Sequence, residues 1–242
     1  MDDPLRHVYS FIATHCWLAQ REPGYHKARR VIPGFVTISR QTGAGEVTIA
    51  EKLADHLSKE LPGDCPWTVF DKNLVYAVIQ EHHLAERILP FLQEANIPEI
   101  QDTLDDLFGL HPPQFTLVQR TTQTILHLAR MGRVILVGRG APLITKGIPG
   151  GVHVRLVGSF KKRKDHIKEE FQLTDKEADF FIKKEDQGRS LYLKKYFNQD
   201  IETPLLYDLI INTDRVSYDE AVRLIADLVI QKIRSDCVVL RI

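Results

Sequence analysis

A short glycine-containing segment that follows an apolar run is the part of this chain best suited to bind an anion. The segment covers residues 40–48 and reads Arg-Gln-Thr-Gly-Ala-Gly-Glu-Val-Thr. Where a glycine turn leads into a helix, backbone N–H groups and the positive helix end face the same point, and this arrangement binds phosphate. A plain tight connection between a strand and a helix uses the same glycines, so the turn alone leaves both interpretations open.

The segment keeps half of the Walker A pattern G-x-x-x-x-G-K-[ST], which binds nucleotide phosphates. Arg40 takes the place of the first glycine, and Glu46 takes the place of the lysine. Thr48 stands where nucleoside monophosphate kinases, which often read G-K-G-T, place a magnesium-binding hydroxyl. We therefore predict a phosphate site with Thr48 as the metal ligand, formed by Arg40, Thr42, Gly43, Ala44, Gly45, Glu46, Val47 and Thr48.

Glu46 opposes nucleotide binding if its carboxylate faces the phosphates. Two unit charges about 4 Å apart, at an effective dielectric constant of about 20, interact by roughly 4 kcal/mol. Exchanging lysine for glutamate would then change the binding free energy by roughly 8 kcal/mol, and micromolar affinity itself amounts to about 8 kcal/mol. Binding therefore requires that Glu46 turn away, that a magnesium ion intervene, or that Arg40 and other arginines supply the missing charge.

The elements around this segment predict an α/β fold. Five apolar runs predict strands at 35–39, 67–70, 134–137, 152–157 and 209–212. Helical patterns precede and separate them at 5–20, 49–61, 73–110 and 115–130, and charged helices are predicted at about 160–198. A last helix follows Ser217, where Glu220 completes a capping-box pattern. Because strands alternate with helices, we expect a parallel sheet with helices on both faces and a ligand at the carboxyl ends of its strands.

Composition excludes several other classes of protein. Lysine plus arginine and aspartate plus glutamate number 32 each, so no net field would attract nucleic acid or an acidic membrane. There is neither an apolar run long enough to span a bilayer nor a secretory signal at the N-terminus. The three cysteines lie far apart, which favours a reducing compartment, and we expect a cytoplasmic protein. The histidines show no metal-binding spacing.

From about residue 35 to 230, an ordered set of motifs resembles the cytidylate kinase-like family of P-loop nucleoside monophosphate kinases. The motifs are the 38–45 segment, Phe-Asp-Lys at 70–72, Val-Ile-Leu-Val-Gly-Arg-Gly-Ala at 134–141, Val-Arg-Leu-Val at 154–157 with Arg163, Asp-Gln-Gly-Arg at 186–189, and Leu-Tyr-Asp-Leu-Ile-Ile-Asn-Thr at 206–213. The resemblance implies a five-stranded parallel sheet, a helical lid at about 160–200, and an extension at 1–30 outside the shared domain 31–242.

The resemblance also implies a reaction, the transfer of phosphate from ATP, with Mg²⁺, to a nucleoside monophosphate or similar small acceptor. Its catalytic residues would be Arg139, Arg163, Asp186 and Arg189, because arginine binds phosphate in two places and stays charged. The acceptor would contact Asp71, Lys72, Arg120, Gln123 and Arg139. The expected partners are a nucleotide, a small acceptor and, as a possible homodimer, a second copy of the chain.

Two departures from the family pattern leave a second interpretation open. Gly140 replaces an aspartate that follows the arginine in cytidylate kinases, so the acceptor need not be a cytidine nucleotide. Glu46 and Val47 replace the usual glycine and arginine of the phosphate loop. The alternative is a kinase-fold protein without catalysis that serves as a nucleotide sensor or an interaction module. For single residues the plain alternatives are a loop-capping Arg139, a helix-capping Asp71, and a solvent-facing Arg120 and Gln123.

Overall fold

A computed structural model describes residues 34–63, 65–71, 113–138 and 140–239 of the 242-residue chain. The predicted helix at 5–20, the predicted helical stretch at 73–110, Lys72 and Arg139 lie outside the described residues. The described residues contain the glycine segment, all five predicted strands and both helices of the predicted lid.

The centre of the fold is one parallel five-stranded sheet. Its strands are β1 (Phe35–Arg40), β2 (Thr68–Phe70), β3 (Val134–Val137), β4 (Gly151–Val157) and β5 (Leu209–Asn212). The spatial order is β2-β3-β1-β4-β5, so β1 lies in the middle, with Phe35 opposite Val134 on one side and Gly151 on the other. The predicted fold class and the five strands are confirmed.

Helices cover both faces of this sheet. They are α1 (Glu46–Glu60), α2 (Pro113–Met131), α3 (Ala141–Ile144), α4 (Phe160–Phe171), α5 (Asp175–Phe197) and α6 (Tyr218–Val239), and a short 3₁₀ turn spans Pro204–Leu206. Alternate β1 residues point to opposite faces: Val36 and Ile38 pack with α1 and α6, whereas Phe35 packs with α2. Both faces are buried, as a continuous apolar strand in a parallel sheet requires.

The charged helices predicted at about 160–198 are two helices, α4 and α5. Gln172 takes a left-handed conformation (φ 52°) and ends α4, and Thr174 begins α5 with a capping box whose partner is Glu177. The two helices pack on each other through Ile167, Ala178 and Ile182. Gly188 lies inside α5 and forms no turn. The break between the two helices lies sixteen positions earlier in the chain, at Gln172.

Two further predictions concern the start of α6 and the possibility of a membrane-spanning helix. The Ser217–Glu220 capping box is present, because the Ser217 amide and hydroxyl donate to Glu220 Oε2 and the Glu220 amide donates back to Ser217 Oγ. Across the described part of the chain, no helix combines the length and apolarity that a bilayer crossing demands.

Candidate phosphate loop and adjoining cavity

The glycine segment forms a compact loop between the end of β1 at Arg40 and the start of α1 at Glu46. Gly43 and Gly45 have φ angles of 80° and 85°, a region that side chains rarely tolerate. Neighbouring groups also leave them no room, since a Cβ on Gly43 would lie 2.5 Å from the Arg163 carbonyl oxygen and one on Gly45 would lie 2.3 Å from Tyr218 Cζ. The glycines therefore fix both the shape of the loop and its contact with the rest of the fold.

Asp186, in the middle of α5, is the carboxylate that binds this loop. Its Oδ1 accepts the Thr42 amide and the Thr42 hydroxyl, each at 2.8 Å. Burial raises the pKa of the Asp186 carboxyl, but the hydrogen bonds from Thr42 and Arg189 outweigh that effect and hold the pKa below its usual value. Asp186 is therefore an anion at neutral pH, in contact with the backbone of the glycine loop.

Two arginines complete the surroundings of Asp186. Arg163, on α4, donates to Asp186 Oδ2 at 2.8 Å and also to the carbonyl oxygens of Thr42 and Gly158, both at 3.0 Å. Arg189, one turn after Asp186 on α5, donates to Asp186 Oδ1 at 2.6 Å and to the Thr42 hydroxyl. Both predicted lid arginines thus reach the loop, and both pair with the Asp186 carboxylate.

The other charged pair of the loop joins Arg40 and Glu46. Arg40 Nε lies 3.2 Å from Glu46 Oε1, and the two side chains are 16% and 17% exposed. The Arg40 guanidinium also lies against Gly138, where an added Cβ would come within 2.3 Å of Nη1. Glu46, at the position of the Walker lysine, therefore points at a cation of its own chain, and the role of loop-binding carboxylate belongs to Asp186.

An aromatic pair supports the loop from the other side. His166 Nδ1 lies 3.0 Å from the Gly43 carbonyl oxygen, and because a carbonyl only accepts, that nitrogen carries the proton. The Tyr218 hydroxyl lies 3.4 Å from the same nitrogen, and the Tyr218 ring covers Gly45. Burial, and then the Glu46 carboxylate, raise the pKa of Tyr218, so this hydroxyl stays neutral. Together these two rings hold the second half of the loop.

A cavity of about 240 Å³ adjoins the loop at the carboxyl ends of the strands. Arg40, Arg189 and Glu185 supply charges at its border, and Ser39 and Tyr207 supply hydroxyls. Apolar side chains form much of the remaining wall: Val137, Pro142, Leu143, Leu193, Ile201 and Leu206. Arg40 and Arg189 therefore belong both to the loop and to the cavity.

A buried arginine lies behind the two hydroxyls of the cavity. Arg155 of β4 has a side chain only 2% exposed, and its outer partner is Glu202. Its Nη1 donates to Ser39 Oγ at 3.0 Å, and its guanidinium lies 5.7 Å from the centre of the Tyr207 ring. Tyr207 in turn donates to the Ile201 carbonyl at 2.8 Å. The charge of Arg155 thus fixes the orientation of the cavity's polar wall.

The other predicted site residues lie on α1, on α2 and at the end of β2. Thr48 is partly exposed in the first turn of α1, and Asp71 directly follows β2. Arg120 and Gln123 are exposed on α2 and are not among the residues that line the cavity. The roles predicted for Arg139 and Lys72 stay predictions, because both residues lie outside the described part of the chain.

Several residues of this region had no role in the sequence prediction. Arg155 was readable as a lone charge inside an apolar strand, and such a charge must find a buried partner. Tyr207 precedes β5 and therefore lies at the amino end of that strand, so the rule that ligands bind at the carboxyl ends gives no signal for it. His166 and Tyr218 carry no comparable signal, because one lies in a charged helix and the other at the start of an ordinary one.

Comparison with known families identifies the chain's relatives. The model of the cytidylate kinase-like family matches residues 35–215, about three quarters of the chain. The chain belongs to this family. The match begins at β1 and ends just after β5, so the loop, the cavity and both lid helices of this cytidylate kinase-like protein all lie within it.

One of the aligned solved structures shows the same fold at low identity. An uncharacterised protein from Eubacterium ventriosum aligns with a TM-score of 0.59 at 19% identity, over 81% of this chain and 98% of that one. Shikimate kinase from Bacteroides thetaiotaomicron aligns with a TM-score of 0.44 at 16% identity, over 81% of this chain and 97% of that one. A search of curated proteins finds no match.

Proposed function

We propose that the chain is a nucleotide-binding phosphotransferase that moves a phosphoryl group from ATP, with Mg²⁺, to a nucleoside monophosphate or a similar small acceptor. One observation carries this proposal: Arg40 and Arg189 contact the glycine loop on one side and border the adjoining cavity on the other. A donor phosphate at the loop and an acceptor in the cavity would then meet at the same two guanidinium groups, and phosphoryl transfer depends chiefly on such positioning and charge.

Each residue has a defined task in this proposal. The loop amides from Thr42 to Val47 would bind the donor phosphates, and Arg163 and Arg189 would stabilise the group in transfer. The acceptor would meet Arg139 and Asp71, with Lys72, Arg120 and Gln123 as further contacts carried over from the family resemblance. The helices at about 160–200 would move as a lid, since substrate closure commonly uses such an element.

The described residues offer magnesium one proposed protein ligand, the Thr48 hydroxyl, and no complete metal site. Thr48 offers a hydroxyl oxygen in the first turn of α1, and the described residues contain no group of three or more histidine, cysteine or acidic side chains that would hold a metal without substrate. Mg²⁺ in kinase sites keeps water and takes most of its other ligands from the phosphates. Thr48 would therefore hold the ion only together with a nucleotide, where the ion would neutralise phosphate charge.

A second candidate function is a kinase-fold protein without catalysis, a nucleotide sensor or an interaction module. The observation that favours it is the charge balance of the loop, where Glu46 pairs with Arg40, and Asp186 and Glu185 together pair with the two lid arginines. A site that is already neutral attracts phosphate less. For either function, the separated cysteines support a cytoplasmic location, and the zero formal charge supports small-molecule partners over nucleic acid.

Calorimetric titration with ATP, with and without MgCl₂, tests the proposal first. We expect binding that strengthens with Mg²⁺, that Thr48→Val loses this magnesium dependence, and that the matched Thr48→Ser variant keeps it. A panel of nucleoside monophosphates and small hydroxyl compounds with γ-labelled ATP then tests transfer. Binding without transfer to any acceptor would favour the sensor, and no ATP binding at millimolar concentration would refute the phosphotransferase.

A further inference from the structure

The four hydrogen bonds to Asp186 form a donor set that is not specific for a carboxylate. A loop amide, a hydroxyl and two guanidinium groups converge on its two oxygens, at 2.6–2.8 Å. Charge-assisted bonds of this kind are also the bonds by which proteins hold phosphoryl oxygens. We propose that, in the unliganded chain, the Asp186 carboxylate occupies the position of a phosphoryl group, and that a bound phosphoryl group displaces it.

The two arginines differ in what would happen to them after the exchange. Arg163 is anchored without Asp186, because it also donates to the carbonyl oxygens of Thr42 and Gly158, and its side chain is only 9% exposed. It would stay at the loop and bind the incoming anion. Arg189 lies on the same helix as Asp186, three residues further on, and its other carboxylate contact, to Glu185, is 3.5 Å long. Its position therefore depends on where α5 lies.

Access and charge both permit the exchange. The Asp186 side chain is 29% exposed, so a soluble anion reaches the contact without unfolding the helix. With Asp186 in place, its carboxylate occupies the loop amide, the Thr42 hydroxyl and both arginines and lowers their summed charge by one, so a phosphoryl group of charge about −2 meets no free donor of this set and a weaker positive charge. Removal of the carboxylate frees all four donors for the anion.

The exchange gives α5 a defined function in the proposed reaction. Without a ligand, Asp186 joins α5 to the loop and thereby closes this side of the site. With a ligand, the contact between α5 and the loop passes through the phosphoryl group and Arg189. Asp186 is then a regulatory group, which selects for anions that bind more strongly than a carboxylate does. This inference rests on the proposed function, since it requires that the loop bind phosphoryl groups.

Calorimetric titration with pyrophosphate and with ATP plus MgCl₂ tests the exchange on three forms of the full chain. The forms are the unaltered protein, Asp186→Asn, and the matched control Glu169→Gln, which removes the same charge from an exposed side chain of α4. We expect Asp186→Asn to bind pyrophosphate at least tenfold more tightly than the unaltered protein, and Glu169→Gln to differ from it by less than threefold.

A second measurement needs no substitution. Carbon NMR of the Asp186 carboxyl group gives its pKa in the free protein, where we expect a value below the usual range, and in the presence of saturating pyrophosphate, where we expect a return toward that range. A pKa that stays low with pyrophosphate bound would show that Asp186 does not leave the loop, and would overturn the exchange even if Asp186→Asn does not fold.

The outcomes separate the exchange from the function on which it rests. If the unaltered protein binds ATP and Asp186→Asn binds it equally or more weakly, then Asp186 positions the arginines, the exchange is wrong, and the phosphotransferase stands. If Asp186→Asn alone binds, the exchange is supported. If none of the three forms binds pyrophosphate or ATP, the loop is not a phosphate site, and both proposals fail.

Discussion

Replacing Glu46 with glutamine tests how much the loop's own ion pair opposes nucleotide binding. At 3.2 Å and an effective dielectric constant of about 20, the gross attraction between Arg40 and Glu46 is about 5 kcal/mol. Desolvation offsets much of it: exposed pairs contribute about 0–1 kcal/mol and breaking buried ones costs about 3–5 kcal/mol. With both side chains about one-sixth exposed, we take roughly 2 kcal/mol as the free energy that a phosphate must overcome to engage Arg40.

Glu46→Gln removes that opposition while keeping the size of the side chain. Since 1.4 kcal/mol is a factor of ten, roughly 2 kcal/mol corresponds to about thirtyfold tighter binding of ATP with Mg²⁺. The variant also breaks the ion pair in the unliganded protein and loses an acidic side chain from the first turn of α1, so we expect the unliganded protein to lose about 2–3 kcal/mol of unfolding free energy. Calorimetric titration measures the first effect, and urea denaturation measures the second.

Two control variants separate the ion pair from general charge. Glu51→Gln makes the same change of net charge on the exposed side of the same helix, and we expect less than a threefold effect on ATP affinity, because exposed charges are screened. Adding Arg40→Gln to Glu46→Gln should abolish the gain. Equal effects of Glu46→Gln and Glu51→Gln, or a gain that persists without Arg40, would refute the reasoning.

Three further predictions concern separate parts of the chain. Gly45→Ala should lose about 2 kcal/mol of unfolding free energy in urea, because of its positive φ and the Tyr218 ring; Gly147→Ala, with open space around its Cβ, should change by less than about 0.5 kcal/mol. Burial, and then Arg130, lower the pKa of His127 to about 4. Below about pH 6.5 the unfolded chain therefore takes up a proton that the native state does not, and the unfolding free energy should fall by roughly 2 kcal/mol between pH 7 and pH 5. The His127→Gln variant should lack this pH-dependent loss. Arg139→Ala should weaken nucleoside monophosphate binding about tenfold or more with an unchanged melting temperature; a sharp fall in that temperature would show a structural role instead.

Local patterns in the sequence predict most of the described architecture. Each strand matches its prediction to within a residue at either end, because continuous apolar runs with β-branched residues are typical of buried parallel strands. The charged helices at about 160–198 were predicted without a boundary between them, although Thr174 and Glu177 form a capping-box pattern that marks the start of the second helix. The conformation of Gln172, which ends α4, has no such signal.

The pairing of charges in the candidate site lies beyond sequence reasoning. Thr42 and Asp186 are 144 positions apart, and their contact depends on how α5 docks against the loop, which no periodicity records. The helix dipole alone predicts that Glu46 accepts the free N–H groups at the start of α1. In the folded chain the loop conformation brings Arg40 close enough to compete for Glu46, and Asp186 reaches the loop amide from a remote helix.

The central place of β1 has a consequence for how the chain is made. Both neighbours of β1 are synthesised late, since the partner residues of Phe35 are Val134 and Gly151. At a synthesis rate of about 5–20 residues per second, roughly 5–20 s pass between the synthesis of β1 and the synthesis of the first strand that pairs with it. Parallel pairings over such separations also form slowly. We therefore expect early refolding intermediates to lack the glycine loop and to expose the β1 strand. The yield of folded protein should then depend more on chaperones than on the free energy of unfolding.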